Sequence, residues 1–320
     1  MVKNRRNRRI LQVLDPGHKT WVLGGLFKDL RESSEQVFES NPIYLTPPNS
    51  VKNTFFWILK CLTILKSRRV LFSSLTPLEN YARFPLSSWN QKIGLWFTHK
   101  DGDFNSSEVY SLNKCDTIFL HSMRQSSEIS KVCSCKQVVM LAAIDPSRFN
   151  RRAIKGKKIV WVGTPSERKN PKLFLSIVDA LPNEEFLLIG KGWLESQYTS
   201  RLSAISNLEY REIKGPLKVE DLDGCDIYIV TSRVEGGPIP LMECLAAGLI
   251  PISTDTGFVR EMFITTRIPE TLIIAPNIDS FTKAISRARK MSSSGFAPAR
   301  DEIISLDFPK LAGLINTNLA

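Results

Sequence analysis

The sequence predicts an α/β protein of two domains with parallel sheets, and three observations carry that expectation. At 320 residues the chain is long enough for two separate cores. From residue 158 onward, apolar runs recur near 158–163, 186–190, 208–213, 226–231, 249–254 and 271–275, with helical stretches between them. Alternation at that spacing makes βαβ units and a sheet covered on both faces. The third observation is a strand, glycine loop and helix over Asp226 to Gly248, the kind of connection at which such sheets bind ligands. The domains expected are 1–150 and 151–290. A tail over 291–320 follows, with a joint at Ser292-Ser293-Ser294-Gly295 and helix on either side of Pro309.

Hydrophobic residues make up 42% of the chain and charged residues 23%, which marks a folded protein rather than a disordered one. The net charge of +11 is unevenly placed, because residues 1–150 carry 21 Lys and Arg against 12 Asp and Glu. An anionic partner for the first half is expected, either a membrane surface or a phosphate-bearing acceptor. Nucleic acid is not expected, since no recognisable nucleic-acid-binding module accompanies the charge. Met1 to Arg9 lack the apolar segment of a secretory signal, and six cysteines sit mostly inside apolar runs. Both point to reduced thiols and a cytoplasmic location. Cys133-Ser134-Cys135 has no second pair with which to hold zinc.

Along the chain, Lys3, Arg5, Arg6, Arg8 and Arg9 form a basic run that reads as a solvated tail or a lipid-headgroup contact. Ile10 to Leu14 is the first strand. Gly24 and Gly25 lie between it and a helix starting at Leu26, a generic feature of nucleotide-binding sheets. Residues 54–66 are apolar but shorter than the roughly 20 residues of a membrane span. They read as a core helix or as one lying on a membrane surface. Arg69 to Ser73 and Lys92 to His99 are further strands. His99 therefore ends a parallel strand, where side chains face the ligand crevice, although a single histidine is as commonly structural. Asp101-Gly102-Asp103 invites a metal reading, but ordinary turn chemistry accounts for it and no metal is expected. Residues 113–122 and 137–141 supply two more strands.

Thr231 to Gly248 organises the second domain. Pro240 suits a first helical turn and Gly248 the residue past the end, so a helix runs from about Pro240 to Ala247. Leu241, Cys244, Leu245 and Gly248 share one packed stripe, and Glu243 is expected to point away from the core. Gly236, Gly237 and Pro238 bring backbone to the start of this helix, where aligned dipoles favour a phosphate. Two carboxylates there, Glu235 and Glu243, would repel an anion unless each holds hydroxyls, so the ligand implied is a nucleotide sugar. The competing reading is a plain turn with two solvated glutamates.

The spacing of Glu235 and Glu243 resembles the Glu-x7-Glu signature of retaining glycosyltransferases of family 4, which have the GT-B fold. Asp145 and Phe149 resemble that family's interdomain turn, and Asn113 to Ser122 resemble a strand of its first domain. The resemblance implies two Rossmann-like domains facing across a cleft. In that arrangement the C-terminal domain holds the nucleotide-sugar donor, the basic N-terminal domain holds a glycan or lipid-linked acceptor, and the tail crosses back to the first domain. It further implies sugar transfer with retention of configuration, without metal or other cofactor. On the same grounds Glu235, His99 and Lys169 are catalytic, while Gly24, Gly25, Arg168, Lys169, Gly236, Gly237, Pro238 and Glu243 bind donor. Glu235 would meet the transferred sugar, Glu243 the ribose and Lys169 the diphosphate. Two departures stand out: Thr164 occupies the family's usual arginine position, with Arg168 nearby, and Phe258 replaces a usual glycine. The setting implied is polysaccharide biosynthesis by a peripheral protein at the cytoplasmic face of a membrane. A catalytically silent relative that binds nucleotide or glycan, and a nucleotide-sugar epimerase of the same fold, are the alternatives.

Overall fold

A computed structural model describes residues 9–17, 22–97, 103–213, 215–291 and 293–320. The chain divides into two compact units, Met1–Ala143 with Asp307–Ala320, and Ile144–Leu306.

In the first unit β1 (Leu11–Leu14), β2 (Ile43–Tyr44), β3 (Arg69–Phe72), β4 (Lys92–Trp96), β5 (Thr117–Leu120) and β6 (Lys136–Val139) form one sheet in the order β2-β1-β3-β4-β5-β6. All its pairings are parallel. The strands are short apolar runs because both faces are covered, as a parallel sheet requires. On one face Val70, Phe72, Ile93, Leu95, Ile118 and Leu120 form a core with Trp57, Cys61 and Ile64 of α2 (Val51–Leu65). Leu78 and Tyr81 of α3 (Leu75–Ala82), Leu112 of α4 (Ser106–Leu112) and Ile129 of α5 (Met123–Ser130) complete it. The other face carries α1 (Val22–Glu32), whose Phe27 meets Trp96 edge-on at 5.5 Å.

In the second unit β7 (Lys158–Val162), β8 (Phe186–Ile189), β9 (Leu208–Arg211), β10 (Cys225–Val230), β11 (Ile250–Thr254) and β12 (Ile273–Ile274) form a second parallel sheet, ordered β12-β11-β10-β7-β8-β9. Its helices are α6 (Pro171–Ala180), α7 (Thr199–Ala204), α8 (Ile239–Ala246), α9 (Val259–Thr266), α10 (Ile278–Ala288) and α11 (Ala297–Ile304). The winding runs one way from β7 to β9 and the other way from β10 to β12. Neighbouring β7 and β10 therefore flank a topological switch point, and connections leaving their C-terminal ends diverge to make room for a ligand.

The tail departs from its sequence expectation. Pro309 does not separate two helices; it sits in the first turn of α12 (Phe308–Asn318), where its missing N–H is harmless. The break comes earlier, with Asp307 as the residue that caps α12. This last helix belongs to the first unit. Arg69 donates through Nε to the Leu319 carbonyl at 3.0 Å and through Nη1 to Asn316 Oδ1 at 2.8 Å. Thr117 Oγ1 donates to the Asn318 carbonyl at 2.8 Å.

Candidate active site

The site grows from the C-terminal ends of β7 and β10. After β7 the chain makes a tight 3-10 turn over Glu167–Lys169, and Asn170 takes a left-handed φ of 55° before Pro171 opens α6. After β10 comes the loop 231–238. Three hydrogen bonds tie these loops to each other and to β7. Arg233 N donates to the Arg168 carbonyl at 2.8 Å, Thr231 Oγ1 donates to the Lys169 carbonyl at 2.9 Å, and Trp161 Nε1 donates to Thr231 Oγ1 at 3.0 Å. The fixed backbones bring side chains from both loops to one point.

That point is Glu235, which is 3% exposed. Lys169 Nζ lies 2.6 Å from its Oε1, Arg168 pairs with its Oε2, and Ser232 Oγ donates to Oε1 at 2.8 Å. Burial alone would raise the carboxyl's pKa, but the Lys169 and Arg168 cations outweigh it and hold the group below the usual carboxylate range. Two cations against one carboxylate leave a surplus positive charge, which is what an arriving anion needs.

Helix α8 starts beside this cluster. Pro240 lies in its first turn and Gly248 beyond its end takes a φ of +90°, a conformation that glycine adopts without strain. Gly237 has a different constraint: a Cβ there would come within 2.3 Å of the Phe258 ring. Phe258, fully buried, thus fills the space in front of the loop and makes the glycine obligatory.

Glu243 leaves the apolar stripe of α8 but is itself buried, which corrects both the expectation that it points away from the core and the reading of two solvated glutamates. It is 6% exposed, and its Oε1 accepts from Arg148 Nη1 at 2.9 Å. The same Arg148 nitrogen donates to the Leu217 carbonyl at 3.0 Å, and Arg148 Nε stands 3.5 Å from Asp145 Oδ2. Burial pushes the Glu243 carboxyl up to about 7, and Arg148 offsets part of that rise. One segment therefore holds a firmly ionised glutamate and a second that titrates near neutrality.

Of the residues expected in the site, Arg168, Lys169, Glu235, Gly236, Gly237, Pro238 and Glu243 all lie on these loops and on α8. Gly24 and Gly25 lie in the first unit, and in the first turn of α1 rather than in a loop ahead of it. His99 falls outside the described residues, as does Asp101. Arg148 was not expected. Its turn was noticeable only for the spacing of Asp145 and Phe149, and nothing local marks an arginine whose partner stands 95 positions away. A buried glutamate requires a nearby cation, which is the one signal that could have prompted a search for it.

Two parallel six-stranded sheets with paired loops at a switch point are those of a GT-B protein, and solved structures agree. The chain is similar to sucrose-phosphate synthase from Thermosynechococcus elongatus, with a TM-score of 0.72 and 12% identity over 97% of this chain and 98% of that one. It is similar to HepE from Anabaena, solved with UDP-glucose, with a TM-score of 0.73 and 12% identity over 97% and 99%. A third likeness is to a trehalose-6-phosphate synthase studied for glycosyl transfer with retention, with a TM-score of 0.64 and 12% identity over 94% and 85%. Residues 145–302 match the family of glycosyl transferases group 1, so the second unit carries a glycosyltransferase domain of that group. The curated proteins yield no match.

Proposed function

We propose that the protein is a retaining, metal-independent glycosyltransferase of family 4 that moves a sugar from a nucleotide-sugar donor to a glycan or lipid-linked acceptor. The observation that carries this reading is the convergence of Arg168, Lys169 and Glu235 on one buried point at the start of α8. As the bond from sugar to phosphate breaks, negative charge gathers on the departing diphosphate. Lys169, Arg168 and the N–H groups at the start of α8 stabilise that charge. Arg168 thereby takes over from the arginine absent at Thr164. Glu235 accepts hydrogen bonds from the transferred sugar, and Glu243, braced by Arg148, accepts them from the ribose. Among the described residues no side chain is assigned as a nucleophile; in the proposed step the acceptor attacks on the face the diphosphate leaves and the leaving oxygen takes its proton. His99 as a catalytic group and Gly24 with Gly25 as donor-binding residues belong to the same reading, on the family resemblance alone. Complexes of HepE with UDP-glucose support a nucleotide sugar as the donor class. The cell setting that fits is polysaccharide biosynthesis at the cytoplasmic face of a membrane.

The test is acceptor-dependent release of free nucleoside diphosphate in the presence of EDTA. Turnover should persist, and Lys169→Ala should lower kcat by about 100-fold or more. Donor binding without any release in the presence of acceptors would favour a silent relative. Loss of turnover restored by magnesium would overturn the metal-free chemistry.

A further inference from the structure

Helix α2 has two apolar faces, and the first unit uses one of them. Trp57, Cys61 and Ile64 are buried in the core. Val51, Phe55, Ile58, Leu59 and Leu62 recur at three- and four-residue steps along a second face, with exposures from 37% for Ile58 to 91% for Val51. Phe56 is also exposed and meets Phe55 edge-on at 5.9 Å. The neighbouring loop 84–90 adds exposed Leu86 and Trp89. It is fastened to α2, since Phe84 packs edge-on against Trp57 at 6.0 Å and Gln91 Nε2 donates to the carbonyls of Ile64 and Ser67 at 2.8 and 2.7 Å. A continuous apolar face of this kind on a folded unit marks a surface that meets something else.

Charge selects the partner. Between Glu39 and Glu79 the sequence holds Lys52, Lys60, Lys66, Arg68 and Arg69 and no acidic residue. Exposed Lys52 and Lys66 stand at the two ends of the apolar face, with exposed Arg68 just beyond. A second copy docked about a two-fold axis would set these same-sign charges against one another. A surface of lipid phosphates complements them, while the apolar face, phenylalanines and tryptophan suit the boundary between headgroups and acyl chains. At about 1.5 Å per residue α2 is too short to cross a bilayer and would lie in its plane. We propose that α2 and the 84–90 loop dock the first unit on an anionic phospholipid bilayer, the apolar face entering the interface and Lys52, Lys66 and Arg68 pairing with phosphates. The surface is separate from the donor loops, and it rests on the glycosyltransferase reading only for what the membrane would supply, a lipid-linked acceptor.

Co-sedimentation with vesicles tests this. Wild type should pellet with vesicles of equal parts phosphatidylglycerol and phosphatidylcholine at low salt and remain in solution with pure phosphatidylcholine. Phe55→Ser combined with Leu59→Ser and Leu62→Ser should weaken partitioning by about 10-fold or more, and Lys52→Gln with Lys66→Gln and Arg68→Gln by about 100-fold. Because all six side chains are surface residues, the thermal melts of both triple variants should match wild type, and so should their nucleotide-sugar binding. Apolar-face variants that pellet like wild type would overturn the proposal. So would a wild-type dimer that the apolar substitutions convert to monomer, together with no pelleting on anionic vesicles. Loss of donor binding with vesicle binding intact would count against the proposed function and leave the docking surface standing.

Discussion

Glu235 and Glu243 lie eight positions apart, both buried, and their surroundings hold them in opposite electrostatic conditions. Glu235 is kept below the usual carboxylate range by two cations, so its share of stability is present above that range and is lost as pH falls through its depressed value. Glu243 behaves in reverse. Its folded value of about 7 exceeds the ordinary 4.5, so the unfolded chain releases this proton first and stability falls as pH rises from 4.5 toward 7. Glu243→Gln should flatten that fall in melting temperature. If Glu243 holds two ribose hydroxyls as proposed, the ionised form is the better acceptor, and wild-type affinity for a nucleotide sugar should rise between pH 6 and 8. The Gln variant should be insensitive to pH and weaker by roughly 1–3 kcal/mol, read by calorimetry. Arg148→Met leaves Glu243 buried without its cation and should cost about 3–5 kcal/mol at pH 8. The loss should shrink at pH 6, where Glu243 is protonated, and urea unfolding at both values checks the difference.

At the scale of elements, the loop before α8 and the segment before α9 form one packing unit through Gly237 and Phe258. Gly237→Ala should destabilise by about 1–3 kcal/mol, because the Phe258 ring cannot retreat within a filled core. Combining it with Phe258→Ala should cost less than the two separate losses together, a coupling that a double-mutant cycle of thermal melts will show. Much of this level was legible in the sequence. The strand, loop and helix over 226–248 and the alternation of the second unit follow from periodicity and from Pro240 and Gly248. β2 was not legible: it is a two-residue edge strand closely preceded by Pro42, paired only at Val13 with Ile43 and Leu14 with Tyr44. Nor could the sequence say which face of α2 is buried, since apolar residues surround much of the helix and only the sheet beneath selects Trp57, Cys61 and Ile64. Arg148 escaped for a related reason, as a long-range pair leaves no periodic trace.

For the whole molecule, the decisive feature is that the first unit is discontinuous. Removing residues 307–320 would strip buried Phe308, Leu311, Ala312, Ile315 and Leu319 from it, along with the hydrogen-bond partners of Arg69 and Thr117. A chain ending at Leu306 should therefore show an early calorimetric transition from its first unit, while the transition of the second unit, continuous from Ile144 to Leu306, is retained.

The same discontinuity sets a schedule for the nascent chain. Residues up to Ala143 leave the ribosome first, yet α12 cannot reach them until the whole stretch from Ile144 to Leu306 has been translated. A Cβ added to Gly94, in the middle of the sheet, would stand 3.2 Å from both Cδ atoms of Leu319, so the Leu319 side chain is seated over that glycine. That spot stays bare while Ile144 to Leu306 is being made. The segment made before the second unit is thus finished after it, and chaperones should engage it at the uncovered strands around Leu71 and Gly94.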